Sequence, residues 1–168
     1  MSDRFPTQIQ IGGNVSRNLL PALMKAINEE QLQNAWGNGI QPIATEEQLL
    51  DCIEDDHLYL CDDERAWGEF TDLERFLVEK KIAFDRSHGP RYEYSGELVL
   101  FRPGMEAPAC AICNDSGTLL VEIEEVQKAR DMLKACHTLP ETQEVVAALD
   151  ALCAEADIEP LPPFEIVD

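Results

Sequence analysis

An α+β fold is predicted for this chain by three observations. Segments of period two alternate along it with segments of period 3.6, and helix-start signals stand beside turn residues. No strand candidate is the long all-apolar run that a buried parallel sheet requires. The expectation is a small mixed or antiparallel sheet packed with helices, with two further helices towards the C-terminal end.

Residues 7–11 (Thr-Gln-Ile-Gln-Ile) alternate polar and apolar, the period of a half-buried strand. Gly12-Gly13-Asn14 reads as a turn into a helix over about residues 16–31. Leu20, Leu23, Met24 and Ile27 are its buried stripe, and Pro21 fits only in the first turn, where a missing N–H is no loss. Trp36-Gly37-Asn38-Gly39 is a loop by composition. Thr45, with Gln48 three residues on, forms a capping box for a short helix expected to bury Leu49, Leu50 and Ile53. Residues 57–61 read as a strand and Asp62-Asp63-Glu64 as an acidic loop.

Thr71 is expected to cap the next helix with Glu74 at N3, Leu73, Phe76 and Leu77 on its apolar face, and Lys80 and Lys81 near its C-terminal dipole. Residues 82–85 read as a short strand and Ser87-His88-Gly89-Pro90 as a turn. Tyr92-Glu93-Tyr94 and residues 98–102 read as the next strand or hairpin. Residues 109–113 and 118–123 are expected to be hairpin arms around Asn114-Asp115-Ser116-Gly117. Helices over about 124–136 and 141–154 and an extended, proline-containing tail complete the chain. This divides it into an α+β domain, 1–104, and a hairpin with a two-helix extension, 105–168, packed on the first part as one unit.

The charge is segregated. Residues 26–64 hold eleven carboxylates and no Lys or Arg, and residues 135–168 hold eight more, again with no base. The other 14 acids nearly balance all 13 bases, so the formal charge of −20 lies largely in two stretches. Such a surface repels phosphate backbones and phospholipid and steers towards basic clefts. Direct nucleic-acid binding is rejected, because a chain at −20 gains no counterion release from a polyanion. At 168 residues and 45% apolar content the chain has enough for a core, so the charge does not imply disorder. No apolar run is long enough to span a bilayer, and the N-terminus lacks the regions of a secretory signal, which implies no membrane role and a cytoplasmic address. The six cysteines are then expected to be free thiols, several of them in the core.

One segment carries a family resemblance. It runs Asp63-Glu64-Arg65-Ala66-Trp67-Gly68-Glu69-Phe70, then the capped helix, Ile82-Ala83-Phe84-Asp85-Arg86, Tyr92-Glu93-Tyr94 and Leu98-Val99-Leu100-Phe101-Arg102-Pro103-Gly104. It resembles small acidic accessory proteins of bacterial plasmids, integrative elements and phages. The resemblance covers about residues 63–104 and transfers no functional residue. It implies an accessory factor of a mobile element, many of which blunt host defences.

Candidate chemistry is sparse. Cys110-Ala111-Ile112-Cys113 with Cys136-His137 offers four ligands of a kind zinc accepts, but the second pair is adjacent and the first reads as strand, so buried thiols are the better account and no cofactor is expected. His57, His88 and His137 stand in no nucleophile–base context. His57 reads as a solvated imidazole beside Asp55 and Asp56, and His88 as a turn residue. Glu54-Asp55-Asp56 and Asp62-Asp63-Glu64 flank a strand without the spacing of a calcium loop. Gly12-Gly13-Asn14 lacks a phosphate-loop motif.

The leading expectation is therefore an interaction factor whose acidic face fills the basic nucleic-acid-binding groove of a host complex, as an anti-restriction or anti-CRISPR DNA mimic would. The contact residues expected are Glu46, Glu47, Asp51, Glu54, Asp55 and Asp56, with Asp62, Asp63 and Glu64 nearby. Glu47, Asp51 and Glu54 recur at i, i+4 and i+7, as along one helical face. Trp36 and Trp67 are candidate interface anchors and equally candidate core residues. The competing readings are a soluble accessory or immunity-type binding protein whose charge serves solubility, and an enzyme with an unrecognised carboxylate pair.

Overall fold

The alternation at residues 7–11 extends both ways into one 13-residue strand, β1 (Arg4–Ser16), in the computed structural model, which describes residues 3–91, 93–114, 118–153 and 158–168. A 3₁₀ turn, Arg17–Leu19, leads into α1 (Leu20–Glu30). Then follow α2 (Glu46–Leu50), β2 (Ile53–Glu54), β3 (His57–Ala66), α3 (Thr71–Lys80), β4 (Ala83–His88), β5 (Gly96–Phe101) and β6 (Ala109–Cys113). Two helices, α4 (Ile123–Ala135) and α5 (Leu139–Cys153), precede the last strand, β7 (Phe164–Val167). The sheet runs β2-β3-β1-β4-β5-β6 with every neighbour antiparallel, and β7 joins it in parallel at the end of β1. The fold is α+β, with two helices near the C-terminal end, as the sequence predicts.

Register sorts the two faces. Ile9 lies opposite Leu60 and Arg86, Ile11 opposite Leu58 and Phe84, and Phe84 opposite Phe101. Residues paired across strands share a face, so these line one side of the sheet. There Ile9, Ile11, Leu58, Leu60, Phe84 and Phe101 form a single core with Leu20, Leu23 and Ile27 of α1 and Leu73 and Leu77 of α3. Each such side chain stabilises the fold by roughly 1.5–3 kcal/mol. The other side is more polar, carrying Gln8, Gln10, Tyr59, Asp85 and Ser87.

Several local expectations give way to longer-range contacts. Gly12-Gly13-Asn14 is not a turn: Gly12 pairs with Ala83 and Gly13 with Phe164, and the strand continues. The glycines serve close approach, since a Cβ on Gly12 would collide with the Pro162 carbonyl oxygen and press on Leu161. The Gly13 N–H donates to the carbonyls of Pro162 and Pro163 at 3.1 and 2.9 Å.

The Thr45–Gln48 capping box forms, but α2 buries only Leu49. Leu50 is exposed and Ile53 has already entered β2. The helix is short because Asp55 and Asp56, at φ of +47° and +67°, make a two-residue hairpin turn between Glu54 and His57. Asp62, Asp63 and Glu64 are part of β3 instead of a loop. α3 starts at Thr71 with Phe70 as its N-cap, and Glu74 accepts from the Phe70 N–H at 2.8 Å.

Ser87 and His88 belong to β4, not a turn, because His88 is buried against Phe5, ring centroids 4.6 Å apart. The second hairpin arm reduces to one bridge, Cys113 with Leu119, because α4 begins at Ile123 with Glu124 and Glu125 suited to its N-terminal dipole. The expectations for Tyr92, for the turn residues 115–117 and for Ala154 fall outside the described residues. All six cysteines are free; Cys52, Cys61 and Cys113 are buried, while Cys110 and Cys153 are exposed.

Candidate functional site

The predicted acidic surface is built around the β2–β3 hairpin. Glu47 stands in the first turn of α2, Asp51 is its C-cap, Glu54 ends β2, and Asp55 and Asp56 form the turn; all five are exposed. Glu47, Asp51 and Glu54 do not share a helical face, because α2 ends at Leu50 and Glu54 sits on a strand. Glu46 is ion-paired with Arg17. Asp62, Asp63 and Glu64 do not converge with Asp55 and Asp56, since five residues of extended β3 span about 17 Å. Asp62 is half-buried and accepts from the Glu64 N–H at 2.9 Å, holding the irregularity where β3 passes Phe5 and Thr7. Asp63 takes the Gln33 amide at 3.2 Å.

Both tryptophans are surface residues, Trp36 44% and Trp67 52% exposed. Trp36 stands beside Tyr59, whose hydroxyl donates to Gln8 at 3.1 Å. Burial, then Cys61 and Glu54 beside it, push the Tyr59 phenol up to about 12. Trp67 sits at φ +58°, a left-handed conformation uncommon for a bulky residue, and is followed by Gly68 at +69°. It lines a cleft of about 220 Å³ with Phe5, His88, Tyr94, Glu97 and Cys110.

The end of the second acidic stretch reaches the first. The Asp56 carbonyl accepts from the Phe164 N–H at 2.8 Å, and a His57 ring nitrogen lies 3.0 Å from the Leu161 carbonyl oxygen, so His57 is a packed residue instead of a solvated one. Arg17 pairs with Asp168 at 3.3 Å as well as with Glu46. Glu165 and Asp168, on and just after β7, are thereby brought beside Asp55, Asp56 and Glu46. Glu141, Glu144 and Asp150 remain apart on α5.

A buried ionic network was hidden in the sequence. Glu30, counted with the surface acids, is buried and accepts at Oε1 from the Asp72 and Leu73 N–H groups at 2.9 and 3.1 Å, while its other oxygen pairs with Arg65. Arg86 pairs with Glu74 at 2.9 Å and with Glu97, and donates to the Gly68 carbonyl at 2.5 Å. Arg102 pairs with Asp85 at 2.5 Å and donates to the Phe84 carbonyl at 3.1 Å. Three bases and four acids are thus consumed internally, so all but one of the net −20 belongs to the rest of the chain. Nothing local marks these residues; only the strand register brings them together.

Glu74 and Glu97 share Arg86 but titrate in opposite senses. Burial holds the Glu74 carboxyl above the usual range, against the pull of Arg86 and the Phe70 N–H. Burial also opposes ionisation of Glu97, yet its hydrogen bond and charge contact with Arg86 carry it below the usual range. A raised folded pKa gives stability that is present in acid and lost as pH rises through it; a depressed one gives stability present at neutral pH and lost in acid. Glu74→Gln, which keeps an acceptor for Phe70, is therefore expected to raise the urea midpoint at pH 7, an effect that vanishes below about pH 4. Glu97→Gln is expected to lower it at pH 7, with the loss shrinking in acid. Equal and pH-independent effects of the two substitutions would contradict this assignment.

The four candidate zinc ligands, already disfavoured by their spacing, do not assemble. Cys110 lies opposite Val99 and is exposed, while Cys113 lies opposite Gly96 on the other face of β6 and is buried. The Cys136 thiol donates to the Met132 carbonyl at 3.2 Å, and the His137 N–H to Glu141 at 2.7 Å. No group of three or more His, Cys, Asp or Glu side chains among the described residues is placed to hold a metal ion. Among the described residues, no helix is long and apolar enough to cross a membrane. Comparison with known proteins finds no matching family model, no matching curated protein and no matching solved structure.

Proposed function

We propose that this chain is an acidic interaction protein that occupies the basic nucleic-acid-binding groove of another protein, as an anti-defence factor of a mobile element or phage. The observation that carries the reading is the junction at β7. It adds Glu165 and Asp168 to the exposed carboxylates Glu47, Asp51, Glu54, Asp55 and Asp56 on a surface with Arg17 as a bridging base. Duplex DNA carries one charge per roughly 1.7 Å of axis, and a Lys/Arg groove built for that density accepts carboxylates held at comparable spacing. Asp55 and Asp56 stand next to each other on a tight turn whose backbone is fixed by β2, β3 and the Phe164 N–H. Trp36 and Trp67 supply half-exposed indoles of the kind that anchor interfaces.

The test begins with affinity capture from bacterial lysate at low and high salt, followed by competition between the captured protein's DNA or RNA and this chain. Competition is expected to weaken steeply with salt. Reversing Glu47, Asp51, Glu54, Asp55 and Asp56 to Lys is expected to weaken it about 100-fold or more. If the reversed protein competes as well as the wild type, the acidic hairpin is not the contact surface and the reading is wrong.

A further inference from the structure

α4 and α5 form an antiparallel hairpin outside the core, packed on each other through the buried Ala129 and Val145, with Met132, Cys136, Ala148 and Leu152 partly buried beside them. Each helix also carries a second apolar stripe. On α4 it is Ile123, Val126 and Leu133; on α5 it is Leu139, Val146 and Leu149; each of the six is 40–74% exposed. At 100° per residue, the exposed stripe of either helix lies about 100° further round, in the same sense, from the stripe that meets its neighbour. Because the helices run antiparallel, that common offset turns both exposed stripes to one side of the hairpin. The result is one largely apolar face, interrupted by Arg130 and Thr142.

We propose that this face binds the same face of a second copy, forming a two-fold four-helix bundle. The stripes step by three and four residues, through 123, 126, 130 and 133 on α4 and 139, 142, 146, 149 and 153 on α5, the spacing of helices that pack at shallow angles. Residues 118–153 hold seven acids and three bases. At 100° per residue, however, Glu124, Glu125 and Asp131 on α4 and Glu141 and Glu144 on α5 lie more than about 100° round from the exposed stripes, so two copies meet there with little repulsion.

The flanks are also self-complementary. By the same helical arithmetic Arg130 lies within the α4 stripe, while Lys134 edges the face on α4 and Asp150 edges it on α5. A two-fold axis parallel to the helices lays α4 of one copy on α5 of the other and sets unlike flanks together. Six half-exposed side chains at roughly 80–100 Å² each give on the order of 500 Å² per chain, or about 1,000 Å² in total, the lower bound of a specific interface.

Sedimentation analysis of the full chain, from about micromolar to 100 µM, tests this. The expected result is a species of twice the 18.8 kDa chain mass. Leu133→Glu with Val146→Glu is expected to raise the dimer dissociation constant about 100-fold or more, with the far-UV circular dichroism unchanged, because both side chains are half-exposed in one copy. Arg130→Glu is expected to weaken the dimer, and adding Asp150→Arg to restore part of the loss, a recovery that reads the interface even if the double glutamate disturbs the hairpin. A monomer at every concentration overturns the proposal. So does a dimer indifferent to the glutamates, or a charge swap that restores nothing.

Discussion

Glu30→Ala destabilises the fold by an expected 3–5 kcal/mol, roughly the cost of breaking a buried ion pair from one side. Three groups lose their partner at once. Arg65 is left with its side chain largely buried, holding only the Glu30 and Glu69 carbonyls, a distant Asp62 carboxylate and the Phe70 ring, 5.0 Å from the guanidinium. The Asp72 and Leu73 N–H groups at the start of α3 lose the acceptor that reaches them from the end of α1. Because the carboxylate ties the end of α1 to the start of α3, the loss is expected as a lower urea midpoint with an unchanged slope. Glu30→Gln keeps one oxygen for the two N–H groups and loses the charge, so it falls between wild type and alanine. An alanine variant within about 1 kcal/mol of wild type would show that water replaces the carboxylate there, and that the site is less closed than its burial indicates.

The same carboxylate shows what a sequence hides. Glu29 and Glu30 are adjacent and chemically alike, yet Glu29 makes an exposed pair with Lys25 while Glu30 is a core residue. The difference is set by α3, more than forty residues away, and no local pattern encodes it. Where the determinant is local, the sequence is legible. The Thr45–Gln48 capping box, Pro21 in the first turn of α1 and the alternation of β1 all form as written. The strand assignments fail where partner strands decide the outcome: Asp62 to Glu64 are drawn into β3 by pairing with β1, and Ser87 and His88 into β4 by pairing with β1 and β5. The acidic surface was legible as composition, but its arrangement was not. Glu47 and Asp51 stand on and just after a short helix and Glu54 on a strand, so no helical face carries the three, and the joining of the two acidic stretches depends on a strand that follows a proline-containing tail.

That joining is open to one substitution. Gly12→Ala is expected to release β7 and to cost about 2–4 kcal/mol, although alanine adds a single methyl group. The obstruction is the backbone carbonyl of Pro162, so no rotamer change relieves it, and Leu161 closes the remaining space at 3.0 Å. Gly12 is itself fixed between paired strands, opposite Ala83, and cannot move away without opening the sheet. The tail is held at this point by the Gly13 N–H, the His57 contact with the Leu161 carbonyl and the Phe164–Asp56 bond, so these are lost together. Amide hydrogen exchange is expected to rise at Gly13 and across residues 164–167, whose N–H groups include the donors lost with the tail, while β4 and β5 stay protected. If the groove-filling reading holds, the same variant binds its partner about tenfold more weakly, because Glu165 and Asp168 leave the acidic surface while Glu47, Asp51 and Glu54 keep their places. Asn14→Ala, two residues along the strand from the collision and exposed, is the matched control and is expected to leave exchange and binding unchanged. Unaltered exchange in Gly12→Ala would mean that the tail shifts to accept the methyl group, and the strand rather than the glycine would then be what holds the two acidic stretches together.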